Sequence, residues 1–410
     1  MTKTSWWLGV LALLSMSEGY ALNQEIRALF QPDSSQPHKN IFVNKTPNSG
    51  YCTLDPAQCT DNNMFSIELP VRFDSSRPII PGAPADAMMI KVPSNWRQLT
   101  VVNSETGESE IVEVRIIGIG SKYVLPTSAA ELVGVTDILE GHQRLWSNSS
   151  WVYAPPPCQY SGVGWYSPNT YRFFWKAPVE TWCTKVAQYR VPSMSFDKLD
   201  FAYELRTPNP LSMSSGIYTG SLTYTLGPGG DFQMGAMMIP DDTSLTLDFV
   251  LDVQHTLKVD LPPGGNRIAL EPEGGWKRWL NSRQLPGRLF RDQTFHISAS
   301  SRFKMFLECA QGTPSNCYLY NEANTMAAPL NVSVSLPGGL TDVSGKPVNR
   351  QRLAPLGGNA IIFYPGAYVD RQQGTMHFDI DDKTVIERML TLDQGYKYSN
   401  LIVVVFDSEI

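Results

Sequence analysis

The stretch that most constrains this chain is its end, Gly395 to Phe406, reading G-Y-K-Y-S-N-L-I-V-V-V-F. Tyr398, Ile402, Val404 and Phe406 share one parity, and Leu401 to Phe406 is apolar on both, the pattern of a strand buried on both faces. Only Asp407, Ser408, Glu409 and Ile410 follow in the sequence. A neighbour on one side of this strand is therefore expected to come from an earlier strand or from another polypeptide.

An upstream stretch has the same pattern. In Gly216-Ile217-Tyr218-Thr219-Gly220-Ser221-Leu222-Thr223-Tyr224-Thr225-Leu226, aligning Tyr218 with Tyr398 puts Leu222 on Ile402, Tyr224 on Val404 and Leu226 on Phe406. Here the chain continues through the turn signal Gly227-Pro228-Gly229-Gly230-Asp231 into Phe232 to Ile239, which predicts a hairpin partner. The first unit is expected to complete itself and the second is not.

The length of 410 residues suits two domains with full cores. Charged residues make up 18%, and 31 Gly, 30 Pro and 11% aromatics favour a turn-rich β protein over helical bundles. A net charge of -6 with no basic stripe argues against nucleic acid as a partner. Lys3, the apolar run Trp6 to Leu14 and the small residues before a cut after Ala21 read as a secretory signal, residues 1–21. Its apolar run is too short to span a membrane, and no later stretch is longer.

Six cysteines allow fifteen pairings. Short separations favour the sequential bridges Cys52 with Cys59, Cys158 with Cys183 and Cys309 with Cys317. Zinc is the competing use, but no C-x-x-C or Cys/His cluster is present, and an exported protein favours disulfides.

Alternation at Leu22 to Phe30, Phe65 to Val71, Val112 to Ile116 and Leu199 to Leu205 predicts half-buried antiparallel strands. Leu22 to Phe30 fits either a strand lent to a neighbour or the first strand of its own domain. Ser128 with Glu131 is a capping box, predicting a helix with Leu132, Val135 and Leu139 on one face. Polar Pro240 to Ser244 is the expected boundary, followed by a long opening strand from Leu245 through Leu261. Further strands end at Cys309, Leu336 and Tyr364, with a helical turn expected over Thr384 to Leu390.

In its two related strands, export signal, all-β pattern and two-unit layout the chain resembles subunits of bacterial chaperone-usher pili. Its length is that of a tip adhesin more than of a shaft subunit, since one pilin domain needs only about 150 residues. The resemblance implies an all-β chain of two immunoglobulin-like β-sandwich domains. Residues 22–239 would form the receptor-binding domain, and residues 240–410 a pilin domain lacking its last strand. Tyr398, Ile402, Val404, Phe406, Leu247, Phe249 and Leu251 would then line the groove for a donated strand. Implied partners are a periplasmic chaperone, an outer-membrane usher, the N-terminal strand of the next pilin subunit and a glycan or protein receptor. The implied location is the fimbrium tip, reached through the periplasm. Filling such a groove with four or five apolar side chains is worth roughly 6 to 15 kcal/mol, on the scale of a whole domain's stability.

The densest aromatic window, Trp146 to Tyr189, brackets Cys158 and Cys183. Trp165 and Tyr166, in a loop with Ser161, Gly162, Gly164, Ser167 and Asn169, combine flat apolar faces with hydrogen-bonding groups. They are candidate receptor contacts, with Trp151 and Tyr171 beside them. The competing use for these aromatics is core packing. Glu273 to Trp279 is a second aromatic and basic patch, expected as a loop.

No catalytic arrangement assembles: five scattered His, no H-E-x-x-H and no G-x-S-x-G. No metal or other cofactor is called for. His255 and His296 read as strand residues. Asp379, Asp381 and Asp382 read as a turn or helix start more readily than as a calcium loop. Two readings stand beside the adhesin: a structural minor pilin or assembly adaptor without a receptor, and a secreted carbohydrate-active enzyme, whose carboxylates can meet from distant positions.

Overall fold

The structure, a computed structural model, describes residues 22–408 apart from 63, 163, 283, 356–359 and 393–395. The expected signal segment, Gly395 and the last two residues lie outside the described residues. Strands dominate, in several curled sheets, so the fold is all-β.

Among the described residues two large apolar cores and one small satellite cluster form. In the first, the main sheet runs in the order Ser195–Arg206, Ser109–Val124, Arg97–Asn103, Gly216–Thr225, Ser244–Val253, Leu22–Phe30 and Val43–Asn44. Leu22–Phe30 lies parallel to Ser244–Val253, with Leu22 opposite Leu245 and Phe30 opposite Val253. Ile26, Ala28 and Phe30 are buried there, so this segment is a strand of its own sheet.

That ladder overturns the placement of the Leu245 strand. Expected to open the second unit, it is instead flanked by Gly216–Thr225 on one side and Leu22–Phe30 on the other. Leu245, Leu247, Phe249, Leu251 and Val253 all sit in the first core, so Leu247, Phe249 and Leu251 line no groove. Alternation specifies which face of a strand is buried, not which neighbours bury it. The long run to Leu261 also breaks, at residues 254–256: Gln254 N–H bonds to Phe30 O and Ser300 N–H to Thr256 O, turning the chain from one core to the other. His255 lies in this turn and not in a strand. Its ring bonds Met213 O at 2.9 Å and Ser300 Oγ at 3.1 Å.

The expected hairpin of Phe232 to Ile239 onto Gly216–Thr225 does not form either. Gln233–Met234 pairs with Met88–Lys91, and Met238–Pro240 with Phe73–Ser75, because Ser244–Val253 and Arg97–Asn103 already occupy the two edges. The predicted helix divides in two. Ser128 Oγ accepts from Glu131 N and caps Ala129–Val133, Gly134 at φ 74° ends that helix, and Asp137 caps a second, Ile138–Leu145.

The second core lies between two further sheets. One runs Leu257–Asp260, Leu289–Ala299, Val369–Ile380, Ala327–Ser335, Cys317–Asn321, Tyr398–Ser399. The other runs Leu340–Thr341, Ile361–Pro365, Phe303–Cys309, Ile402–Asp407. Glu273 to Trp279 is largely helical, in Gly275–Ser282. Asp382 caps the helix Lys383–Glu387, which continues as a π turn through Arg388–Leu392. All three bridges are sequential, with Cα atoms 5.6 to 5.8 Å apart.

Candidate functional site

The terminal stretch is two strands and not one. Tyr398–Ser399 pairs with Cys317–Asn321 in one sheet, whereas Ile402–Asp407 pairs with Phe303–Cys309 in the other. Asn400 makes the crossing: its Nδ2 donates to Gln311 O and to Tyr318 O, both at 2.7 Å. Nor is the second strand buried on both faces. Leu401 is 69% and Val403 45% exposed, while Ile402, Val404 and Phe406 are half-buried against the second core.

Among the described residues, Ile402 to Phe406 has a ladder partner on one side only. The other edge offers unpaired backbone groups beside apolar side chains, which is what an added strand needs. Phe406 packs on Phe295 of the opposite sheet at 5.7 Å and on Phe303 at 6.4 Å, so its ring is a half-covered wall of the core. Leu257 and Val259 are half-buried against the same core, on a strand that also forms a sheet edge. Of the seven expected groove residues, the structure keeps Tyr398, Ile402, Val404 and Phe406 around this core. It sends Leu247, Phe249 and Leu251 to the other.

The aromatic window separates just as sharply. Thr170–Lys176 pairs with Gly118 to Val124 on one side and, on the other, with two short strands, Gln159–Tyr160 and Trp165–Ser167. Tyr171, Phe173 and Trp175 share a parity and are buried in the first core, and Trp151 is buried against Trp175 and Phe173. Trp151 and Tyr171 therefore support the rim from inside and offer no contact surface. Trp165 and Tyr166 are 57% and 46% exposed. Tyr166, Tyr171 and Tyr123 stack in series at 6.0 Å spacings, carrying the rim into the core. The parity of Tyr171 with Phe173 and Trp175 was the sequence signal for its burial. Two exposed rings outside the expected set also stand on this rim, Tyr153 and Tyr160, stacked at 5.7 Å.

Rigid attachments hold the rim. Cys158 is bonded to Cys183, and Trp175 Nε1 donates to Trp151 O at 2.6 Å. The Lys185 ammonium, fully buried, donates to the carbonyls of Ser147, Asn148, Ser149 and Ser150 at 3.0 to 3.1 Å. Burial pushes this lysine down to about 8. Gly164 is needed for close approach, since a Cβ there would sit 2.6 Å from the Tyr171 hydroxyl.

The outer face of the same strand carries Phe174, covered by the helices Tyr51–Leu54 and Pro56–Asp61 and their Cys52–Cys59 bridge. Trp165 Nε1 donates to Asp55 Oδ2 at 2.8 Å, tying the rim to this module. Beside it Arg172 bonds both Glu68 and Asp200 at 2.9 Å. Burial pushes Asp200 up to about 6 against the pull of Arg172. Gly50, at φ 66°, leaves room for Asp200, whose Oδ1 would lie 1.9 Å from any Cβ there.

No family model matches this chain, and no curated protein does. Among solved structures it is similar to CfaE, the adhesive subunit of the CFA/I fimbria of enterotoxigenic Escherichia coli. The identity is 9% over 94% of this chain and 92% of that one, with a TM-score of 0.26. A chaperone–tip adhesin complex of CFA/I fimbriae matches at 11% identity over 94% and 96%, TM-score 0.25. The CsuC–CsuE chaperone–tip adhesion subunit pre-assembly complex, from archaic chaperone-usher Csu pili of Acinetobacter baumannii, matches at 9% over 94% and 98%, TM-score 0.22.

Proposed function

We propose that this protein is the adhesive tip subunit of a surface fimbria, and not an enzyme. Its second unit accepts a strand from a partner, and its first unit carries the receptor contact. The observation that supports this reading is the ladder of Ile402 to Phe406, one-sided among the described residues, beside half-buried apolar side chains. A periplasmic chaperone occupies that edge first, and at the outer-membrane usher the N-terminal strand of the next subunit replaces it. Leu22–Phe30 is consumed within its own sheet, so this segment accepts no role as a lent strand. A subunit that accepts a strand but keeps its own N-terminal strand belongs at the end of a polymer.

The exposed rim at Tyr166, rigidly held, is the receptor face, with Trp165 turned to the other side of the same short strand, because a pre-ordered aromatic surface lowers the ordering cost of binding. The division follows the two cores, with the unit boundary moved to residues 254–256. The test is to express the full chain with an added strand of alternating apolar residues, either fused or as a peptide. The strand is expected to raise the yield of monomer and the unfolding midpoint. Equal monomeric stability with and without it would defeat the proposal.

A further inference from the structure

Resting on the receptor-binding reading above, we infer that the rim of the first unit binds a neutral oligosaccharide, with Tyr153 and Tyr160 as one stacking subsite and Tyr166 as another. Tyr160 lies opposite Trp175 and Tyr166 opposite Tyr171 on the strand Thr170–Lys176. Directly opposed residues share a face of the sheet, and Trp175 and Tyr171 share a parity, so Tyr160 and Tyr166 rise on the same face. They are four strand positions apart, about 13 Å at 3.3 Å per residue. Trp165 is opposite Arg172 and belongs to the other face.

The Tyr153 and Tyr160 rings are nearly parallel, 11° apart, and each keeps about half its surface in water (50% and 53% exposed). The C–H face of a pyranose ring is flat and weakly polarised, and it stacks on such a ring while its hydroxyls bond at the edges. Two aromatic subsites about 13 Å apart suit a chain of several sugar units and not a single one.

The loop is also fixed at both ends of Tyr153. The Lys185 ammonium gathers the four carbonyls before it, and the Cys158 bridge follows it. Tyr160 is held in turn by the bond from its hydroxyl to Gly162 O at 2.8 Å. The sugar class follows from the cations that hold this region. Arg172 faces Glu68 and Asp200, Lys176 donates to Asn62 Oδ1 at 2.7 Å, and Lys185 is buried on carbonyls. Each is committed to a protein acceptor, which leaves stacking and hydroxyl bonding, not charge, to recognise the ligand.

The experiment is an array of neutral oligosaccharides built from hexoses and N-acetylhexosamines, with sialylated and sulfated counterparts, probed with the full chain. The expected result is binding to neutral chains of several units that is insensitive to salt. Tyr153→Ala and Tyr160→Ala should each weaken it about ten-fold, Tyr153→Phe should retain it, and Tyr396→Ala, in the second unit, should leave it unchanged. Near-ultraviolet circular dichroism of each variant establishes that the fold is kept. Binding confined to sialylated or sulfated chains would overturn the inference, as would neutral binding undiminished in the folded Tyr153→Ala/Tyr160→Ala double variant. Absence of glycan binding while the chain still captures a complementing strand would remove the ligand class and leave the strand-acceptor reading standing.

Discussion

Phe406 meets Phe295 edge to face, ring centroids 5.7 Å apart, across the two sheets of the second core and beside the edge of its own strand that has no ladder partner among the described residues. The contact makes the last strand a wall of the core on one face while Leu401 and Val403, of the other parity, stay exposed. Phe406→Ala is expected to cost about 2 kcal/mol, below the range for a fully buried ring. Val403→Ser, on the exposed face, should stay within about 0.5 kcal/mol. Urea unfolding of the full chain measures both, and equal effects would contradict the assigned faces.

Removing the ammonium of Lys185 leaves four carbonyls without their shared donor. Lys185→Met is expected to cost about 2 to 4 kcal/mol and to speed proteolytic cleavage between residues 147 and 158. A variant as stable and as resistant as the parent would show that the buried charge does not hold the loop.

Asp200 gives a pH signature with a definite sign. Its carboxyl is raised by burial to about 6 in the folded chain, above its ordinary value of 3.8. Its contribution to stability is therefore full below pH 3.8 and is lost as pH rises through about 6. Glu68, lowered by Lys198 and Arg172 against the opposing effect of burial, works in the opposite direction and loses its contribution as pH falls. Subtracting the stability of Asp200→Asn from that of the parent isolates the first term. The difference should shrink between pH 4 and pH 6 and then level; a difference that grows with pH would contradict the assignment.

The parallel strand Leu22–Phe30 makes a prediction about the other unit. Phe30 is 1% exposed and packs edge to face on His255 at 5.6 Å. Phe30→Ala should cost about 3 to 5 kcal/mol, and amides of Ile26 to Phe30 should exchange as slowly as those of Ser244–Val253. Fast exchange there in the intact chain would mean that the segment is free to leave.

Much of this fold was legible residue by residue. Ser128 with Glu131 marked a helix start because a hydroxyl three residues before a free N–H is a local event, and local events survive into the fold. Neighbour choice is not local. Leu245 to Val253 alternates equally well for either unit, and its two neighbours, Gly216–Thr225 and Leu22–Phe30, decide it. The continuous parity from Tyr398 to Phe406 hid a change of sheet made by the side chain of Asn400. At the rim, Trp165 and Tyr166 stood out by loop composition. Tyr153 and Tyr160 did not, because their exposure comes from how Lys185 and Cys158 fasten the loop.

The central claim is that Ile402 to Phe406 awaits a strand from a second molecule, and hydrogen exchange on the full chain, purified from a periplasmic extract of bacteria that express it, tests it most directly. The account predicts a stoichiometric partner and, in its presence, slow exchange at the alternate amides of Ile402 to Phe406 that point away from Phe303–Cys309. Those same amides should exchange fast once the partner is stripped. A chain that purifies alone, monomeric, with every amide of that strand already protected would contradict it.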